Sequence, residues 1–334
     1  MIKKQILETI KQYKRFLIVA HINPEGDSIG SQLAMANLLR TMGKSVRIIN
    51  ADNVPKNLMF LPGAEQIESL IDKDLKEIKF DVAIILDCPN LERIGQIRQL
   101  LNKQYVICID HHISNEPFGD INWNDHKASS AGEMVYGLFK TGNIPLDEAS
   151  ALCLYVAIMT DTGSFRYSNT TVKTHHIIAD LLSFNLNPTK VYEHIYETKS
   201  FEVMKLLAEV LNNLQRSKDG TYVWFRVTDE MLKRNHLKAE STEDFIAFVR
   251  MIEGAEVVAY LREIDSGSKV KISLRSKTDI DVNKIAGHFG GGGHQAASGC
   301  VIEKNIDQAE KLLLRQIKKS IKEHNNNLIN KQNI

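Results

Sequence analysis

The sequence predicts an α/β fold: an N-terminal domain on a mostly parallel sheet, a linking helix, and a smaller C-terminal α+β domain. Two observations support it. Through the first half, short β-branched runs that are apolar on both faces alternate with longer segments of helical periodicity, the pattern of parallel strands covered by helices on both sides. After Asp219-Gly220 the pattern changes to strands with helices between and after them, which marks a second domain.

The expected strands of the first domain are FLIVAH (16–21), SVRIIN (45–50), DVAIILD (81–87) and YVICID (105–110). Between them, SIGSQLAMANLLRTMG reads as a helix stopped by Gly43, and LERIGQIRQLLNK (91–103) as another. From 129 to 215 the chain reads as helical, through SSAGEMVYGLFK, LDEASALCLYVAIMT, TTVKTHHIIADLLS and PTKVYEHIYETKSFEVMKLLAEVLNNLQ, with Asp147 and Pro188 at helix starts. The strands TYVWFRVT, EVVAYLRE and KVKISLRS follow. The expected division is 1–187 for the first domain, 188–217 for a connecting helix, 218–322 for the second domain and 323–334 for a polar tail. The tail, within EHNNNLINKQNI, offers little to bury and is expected to fray or stay disordered.

With 334 residues and 43% hydrophobic content the chain can bury a large core, while 42 Lys plus Arg nearly cancel 41 Asp plus Glu. That balance argues against a polybasic grip on long nucleic acid and leaves room for a small or short anionic substrate. Cys88, Cys108, Cys153 and Cys300 are far apart and form no CxxC, against both a disulfide framework and a zinc ribbon. The longest apolar run, ALCLYVAIM at 151–159, is too short to cross a bilayer, and the lysine-rich start has no signal-peptide core. The expectation is a soluble cytoplasmic protein with no membrane association.

In an open parallel sheet the active crevice lies beyond the carboxyl ends of the strands. Three expected strands end there in acids or histidines: one leads into His21-Ile22-Asn23-Pro24-Glu25-Gly26-Asp27, one ends at Asp87, and one at Asp110-His111-His112. Each alone is commonly a turn residue or a satisfied structural group. Together they crowd like charges that a cation would neutralise. Asp161, where a helical run breaks, adds another carboxylate. Carboxylates and imidazoles without thiolates suit Mn²⁺ or a similar divalent ion better than structural zinc, and so many acids suggest two ions.

HINPEGDSIGS, Asp87 in ILDCPN, DHH at 110–112 and DTGSFRYSNTT at 161–171 resemble, in order, the motifs of the DHH phosphoesterase superfamily. KVKISLRS followed by IAGHFGGGGHQAASG resembles the glycine-rich DHH-associated domain, so the resemblance covers nearly the whole chain. It implies one metal held by His21, Glu25 and Asp87 and a second by Asp27, Asp87, His111 and Asp161, with Mn²⁺ expected and Mg²⁺ as the alternative. Asp87 would bridge. His112 would meet the substrate phosphate and Asp110 would orient an imidazole. The family usually has Asp where this chain has Glu25; with its extra methylene, Glu25 ligates in a different way, through water or weakly, or is a solvated loop glutamate.

In the second domain the GGGG run at 290–293, flanked by His288-Phe289 and His294, would let backbone N–H groups close on an anion. The resemblance favours Arg275, Gly291, Gly292, Gly293 and His294 as substrate contacts over a surface salt bridge or a flexible loop. Phe289 stacks on a base or packs in the core. Ser130 and Arg166 lie near the first-domain motifs and are assigned supporting or substrate roles. Cys88, Cys108, Trp123 and Trp224 read as packing residues.

The implied activity is release of mononucleotides from very short single-stranded RNA or dinucleotides, with removal of the 3'-phosphate from 3'-phosphoadenosine 5'-phosphate as a companion activity; a homodimer is one allowed state. Within the superfamily the alternative is hydrolysis of pApA or cyclic di-AMP. A RecJ-like exonuclease is normally longer, and a family II pyrophosphatase lacks the GGGGH element. A nonhydrolytic nucleotide sensor, with Glu25 marking a decaying site, is the alternative of a different class.

Overall fold

The computed structural model describes residues 1–70, 78–101 and 104–332, and side chains through 326. It opens with a helix that the sequence patterns do not announce, α1 (Ile2–Gln12), which buries Ile6, Leu7 and Ile10. Six strands then form one sheet: β1 (Arg15–Val19), β2 (Ser45–Asn50), β3 (Ile67–Ser69), β4 (Val82–Leu86), β5 (Tyr105–Asp110) and β6 (Ile121–Asn124). Their order is β3-β2-β1-β4-β5-β6 and every pairing is parallel. Four are the expected strands; β3 and β6, of 3 and 4 residues at the two edges, are too short and too mixed in composition to stand out.

The sheet is apolar on both faces because both are covered. Phe16, Ile18, Val82 and Ile84 join one buried cluster, while Leu17, Val19, Ala83 and Ile85 join another, as the alternation along a strand requires. Each such side chain taken from water contributes about 1.5–3 kcal/mol before entropy is charged against it. The first cluster is completed by α2 (Gly26–Thr41), α3 (Ala131–Gly142), α4 (Glu148–Asp161), α5 (Val172–Leu182) and α6 (Pro188–Tyr196). Asp147 caps α4 through Ser150 N and Pro188 opens α6, both as the sequence predicts.

The helix expected over 91–103 is different. Residues Leu91–Leu101 form 3₁₀ turns interrupted at Gly95, whose φ of 62° no helix accommodates; residues 102 and 103 lie outside the described set. Gly95 lets this segment close on the loop after β1, since a Cβ there would lie 3.2 Å from Ile22 Cγ2 and 3.3 Å from Ala51 Cβ.

The chain divides into two units, Met1–Thr198 and Lys199–Ile334. The single connecting helix expected over 188–217 is two helices, α6 and α7 (Phe201–Asn212), because Ser200 starts a new one by accepting from Val203 N. The second unit then holds β7 (Gln215–Arg216), β8 (Tyr222–Val227), α8 (Asp229–Arg234), α9 (Phe245–Val249), β9 (Val257–Ile264), β10 (Lys269–Ser276), α10 (Val282–Gly287), β11 (Gly292–His294), β12 (Ala297–Ile302) and α11 (Ile306–Gln332). Its sheet runs β11-β12-β10-β9-β8-β7, parallel only between β8 and β9. The tail expected to fray from 323 continues α11 to Gln332. Phe289 and Trp224 pack against one buried cluster of this unit, and Trp123 is buried in the first. Among the described residues no helix is long and apolar enough to cross a membrane.

Candidate metal centre

The strand order reverses between β1 and β4, and a parallel sheet opens a crevice at such a switch point, beyond the strand ends. The chain passes this rim at His21 after β1, at Asp87 after β4 and at Asp110, His111 and His112 ending β5. Glu25 caps α2 and Asp27 lies in its first turn, while Asp161 is the last residue of α4. Backbone φ is left-handed at Asn23 (55°) and Asp87 (57°), which Asn and Asp tolerate better than most residues; such strain gathers at functional sites.

Asp87 sits between two imidazoles, with His21 Nε2 3.4 Å from its Oδ2 and His111 Nε2 3.4 Å from its Oδ1. His111 Nε2 also lies 3.6 Å from Asp161 Oδ2 and 3.7 Å from Asp27 Oδ2. These side chains form three overlapping donor sets, His21-Glu25-Asp87, Asp27-His111-Asp161 and Asp87-His111-His112, each with ligand atoms within 4.8 Å of one another. Separations of 3.4–3.7 Å are long for hydrogen bonds. They suit donors that share a cation about 2.0–2.2 Å from each. Asp27 and Asp87 are 1% and 2% exposed, and burying carboxylates so close together is costly without positive charge. The residues therefore fit a divalent cation centre, with Asp87 and His111 common to more than one set.

The proton affinities carry the same strain. Burial, then Asp87 and Asp161, holds Asp27 well above the usual carboxylate range. Burial followed by Asp87 raises Glu25, although that side chain is exposed along much of its length. Asp161 is pushed up to about 6, chiefly by burial. Burial works against ionisation of Asp87 too, but His111 and His21 outweigh it and bring that carboxyl down to about 2. Burial opposes protonation of His111 and is outweighed by Asp87, Asp27 and Asp161, which raise it to about 10. His21 is raised in the same way, its Asp87 contact outweighing burial.

Several of these side chains are held in place by further groups, some of which sequence reading did not identify. The first two N–H groups of α3, Ala131 and Gly132, donate to Asp27 Oδ2 at 2.7 Å and Oδ1 at 2.9 Å, as a helix N-terminus does for an anion. Ser130, expected in a supporting or substrate role, is fully buried and its Oγ caps α3 by accepting from Glu133 N, fixing those two donors. Asp110 is fully buried, with Oδ1 2.7 Å from His112 Nδ1 and Oδ2 accepting from Asn115 Nδ2 at 2.7 Å. Asp110, acting ahead of the opposing effect of burial, raises His112. Asn169 donates to Asp161 O at 3.1 Å. His21 Nδ1 lies 2.7 Å from Ile22 O, which leaves Nε2 toward Asp87. A short polar turn containing Asn115 carries no signal of its own, because Asn is a common turn residue. The side chain of His111 is 13% exposed and that of His112 39%, so the two adjacent imidazoles have different access. Arg166 is exposed in the first unit and donates through Nε to Gly163 O.

The remaining expected residues lie in the second unit. Arg275 and His294 are both paired with Ala297, from β10 and β11, which puts them on one face with a small residue between. Burial, then Arg250, lowers the proton affinity of Arg275. The glycines have a structural reason for being there: a Cβ at Gly291 would come within 2.2 Å of Gly299 O, and one at Gly293 within 2.6 Å of Ala297 O. Gly292 has only Asn283 Oδ1 nearby, at 3.6 Å.

Comparison with known proteins agrees with this geometry. A sequence profile described as the DHH family, N-terminal domain, matches residues 15–158, and that of the DHHA1 domain matches 219–323. A bifunctional oligoribonuclease and PAP phosphatase, NrnA, of Bacillus subtilis (strain 168) is 28% identical over 93% of this chain and 96% of its own. A probable NrnA of the same description from Streptococcus mutans is 30% identical, over 89% and 92%. Among solved structures, an exopolyphosphatase-related protein from Bacteroides fragilis superposes with a TM-score of 0.87 at 29% identity, covering 95% of both chains.

Proposed function

The chain belongs to the DHH family of phosphoesterases, and from that premise we propose that it hydrolyses very short RNAs, of roughly two to five nucleotides, to mononucleotides. Its broader activity, metal-dependent phosphoester hydrolysis of nucleotides, follows from full-length similarity to named oligoribonuclease and PAP phosphatases. The proposal extends to 3'-phosphoadenosine 5'-phosphate, from which the 3'-phosphate would be removed. The observation that carries the reading is the buried Asp87 between His21 and His111 at the sheet's switch point.

His21, Glu25 and Asp87 would hold one divalent cation and Asp27, Asp87, His111 and Asp161 the other, with Mn²⁺ proposed ahead of Mg²⁺. Such cations supply Lewis-acid charge at the phosphoryl oxygens and acidify water. The chain's own residues do the rest. Ala131 and Gly132 N–H fix the orientation of Asp27. Asp110 takes His112 Nδ1 and is itself held by Asn115, and the Nε2 of a protonated His112 would donate a proton to the leaving oxygen. Arg275 and His294, on one face of the second sheet, would bind a nucleotide's phosphate or base.

The test is a product assay with Mn²⁺ or Mg²⁺ over pApA, trinucleotide RNA, 3'-phosphoadenosine 5'-phosphate, cyclic di-AMP and pyrophosphate. Mononucleotide release from pApA and the trinucleotide, with little turnover of pyrophosphate, is expected. Tight binding without any release would make the protein a sensor, and preference for cyclic di-AMP would move it to second-messenger turnover.

A further inference from the structure

Arg93 has no role in the chemistry above, yet its Nη2 lies 3.4 Å from Nδ1 of His21. That nitrogen is already engaged with Ile22 O at 2.7 Å, so it carries a hydrogen and cannot accept from a guanidinium. Among the described residues this imidazole is the only side chain within hydrogen-bond or ion-pair distance of the guanidinium. The arginine is exposed, close enough for its charge to act on Glu25.

The backbone beneath it is tied to the metal-bearing loop. Arg93 O accepts from Ile22 N at 2.7 Å, and Arg93 N donates to Asn90 O and Oδ1, both at 3.3 Å. The left-handed Gly95 allows the close approach to Ile22 and Ala51. An arginine on a tethered backbone, beside a histidine expected to hold a cation, meets repulsion unless an anion comes between. Charge counting identifies the anion. Glu25, Asp27, Asp87 and Asp161 bring four negative charges, which two divalent cations cancel. Arg93 then adds a positive charge to a neutral centre, and a planar fork matches two oxygens of one phosphate.

We infer that Arg93 is a phosphate-binding residue of the first unit, gripping non-bridging oxygens of the nucleotide phosphate beside the His21 side of the metal centre. The inference rests on the nucleotide reading above and adds a residue to it. It makes Arg93 a source of preference for nucleotides over nucleosides, since an uncharged ligand gains nothing from it.

Calorimetry of Mn²⁺-loaded protein with AMP and with adenosine tests this, alongside steady-state kinetics on pApA. Arg93→Ala is expected to weaken AMP by about 10- to 100-fold, the worth of a lost charge-assisted contact. Arg93→Lys should lose less. Adenosine binding, melting temperature and Mn²⁺ stoichiometry should match the wild type, and KM for pApA should rise by more than kcat falls. Unchanged AMP affinity in Arg93→Ala, or loss of Mn²⁺ together with AMP, would overturn the assignment, the latter by showing that Arg93 only steadies His21. Wild-type protein that binds AMP through Arg93 but cleaves neither pApA nor short RNA refutes the proposed function alone. Cleavage that Arg93→Ala leaves untouched refutes this inference alone, and wild-type protein with neither turnover nor AMP binding refutes both.

Discussion

Asp161 shows how a residue proposed to hold a cation lowers the stability of the fold that carries it. Its carboxyl is raised to about 6, chiefly by burial, so the folded state holds this proton more tightly than the unfolded chain does. Stability therefore falls as pH climbs from the ordinary carboxylate value of about 4 through about 6, and the loss is complete above that. Asp161→Asn removes the charge while keeping an acceptor. At pH 8 the metal-free variant should gain on the order of 1–3 kcal/mol, a rise of several degrees in melting temperature, and should lose the stabilisation that Mn²⁺ gives the wild type. A metal-free variant less stable than wild type at pH 8 would contradict the shift. Asp87 has the opposite sign, since His111 and His21 hold it down to about 2. Asp87→Asn should abolish hydrolysis and Mn²⁺ binding and also destabilise the protein; substantial turnover would end its role as the shared ligand. The clustering of the candidate ligand residues was legible in the sequence, because each stands in a short motif at a strand or helix end. Asn115, Asn169 and the Ala131 and Gly132 N–H groups were not. Ala131 is 104 positions from Asp27, and only the packed structure brings such partners together.

At the scale of elements, the centre depends on how closely α2, α3 and α4 approach. A Cβ on Gly132 would lie 2.5 Å from Ala157 Cβ and 3.4 Å from Asp27 Oδ1, and one on Gly30 would lie 2.3 Å from Cys153 O. Gly132→Ala should thus push α3 away from α4 and loosen two hydrogen bonds to Asp27. The expected cost is about 1–3 kcal/mol of stability together with weaker Mn²⁺ binding, measured by thermal unfolding and calorimetry. Wild-type values for both would show that the helices have room to spare. The interior strands were legible because both faces of a covered sheet must be apolar, as in VAIIL and YVICID. The misread elements have local causes: Gly95 breaks a helical pattern at 91–101, Ser200 restarts a helix within 188–217, and the short edge strands β3 and β6 leave too few residues for a period to show.

For the whole molecule, charge sets the limit on substrate. Lys plus Arg exceed Asp plus Glu by one, 42 against 41, so there is little long-range attraction for a polyanion. On the proposed reading, affinity then comes from a few fixed contacts, chief among them those of the metal centre with one phosphate. Further nucleotides would bring backbone charge without matching basic groups. The most direct measurement is the initial rate on single-stranded RNAs from dimer to about twenty-mer, with Mn²⁺ at fixed ionic strength. The account predicts the greatest efficiency at roughly two to five nucleotides and a fall on longer strands. A rate that rises steadily with length, with processive degradation of the longest strands, would contradict it.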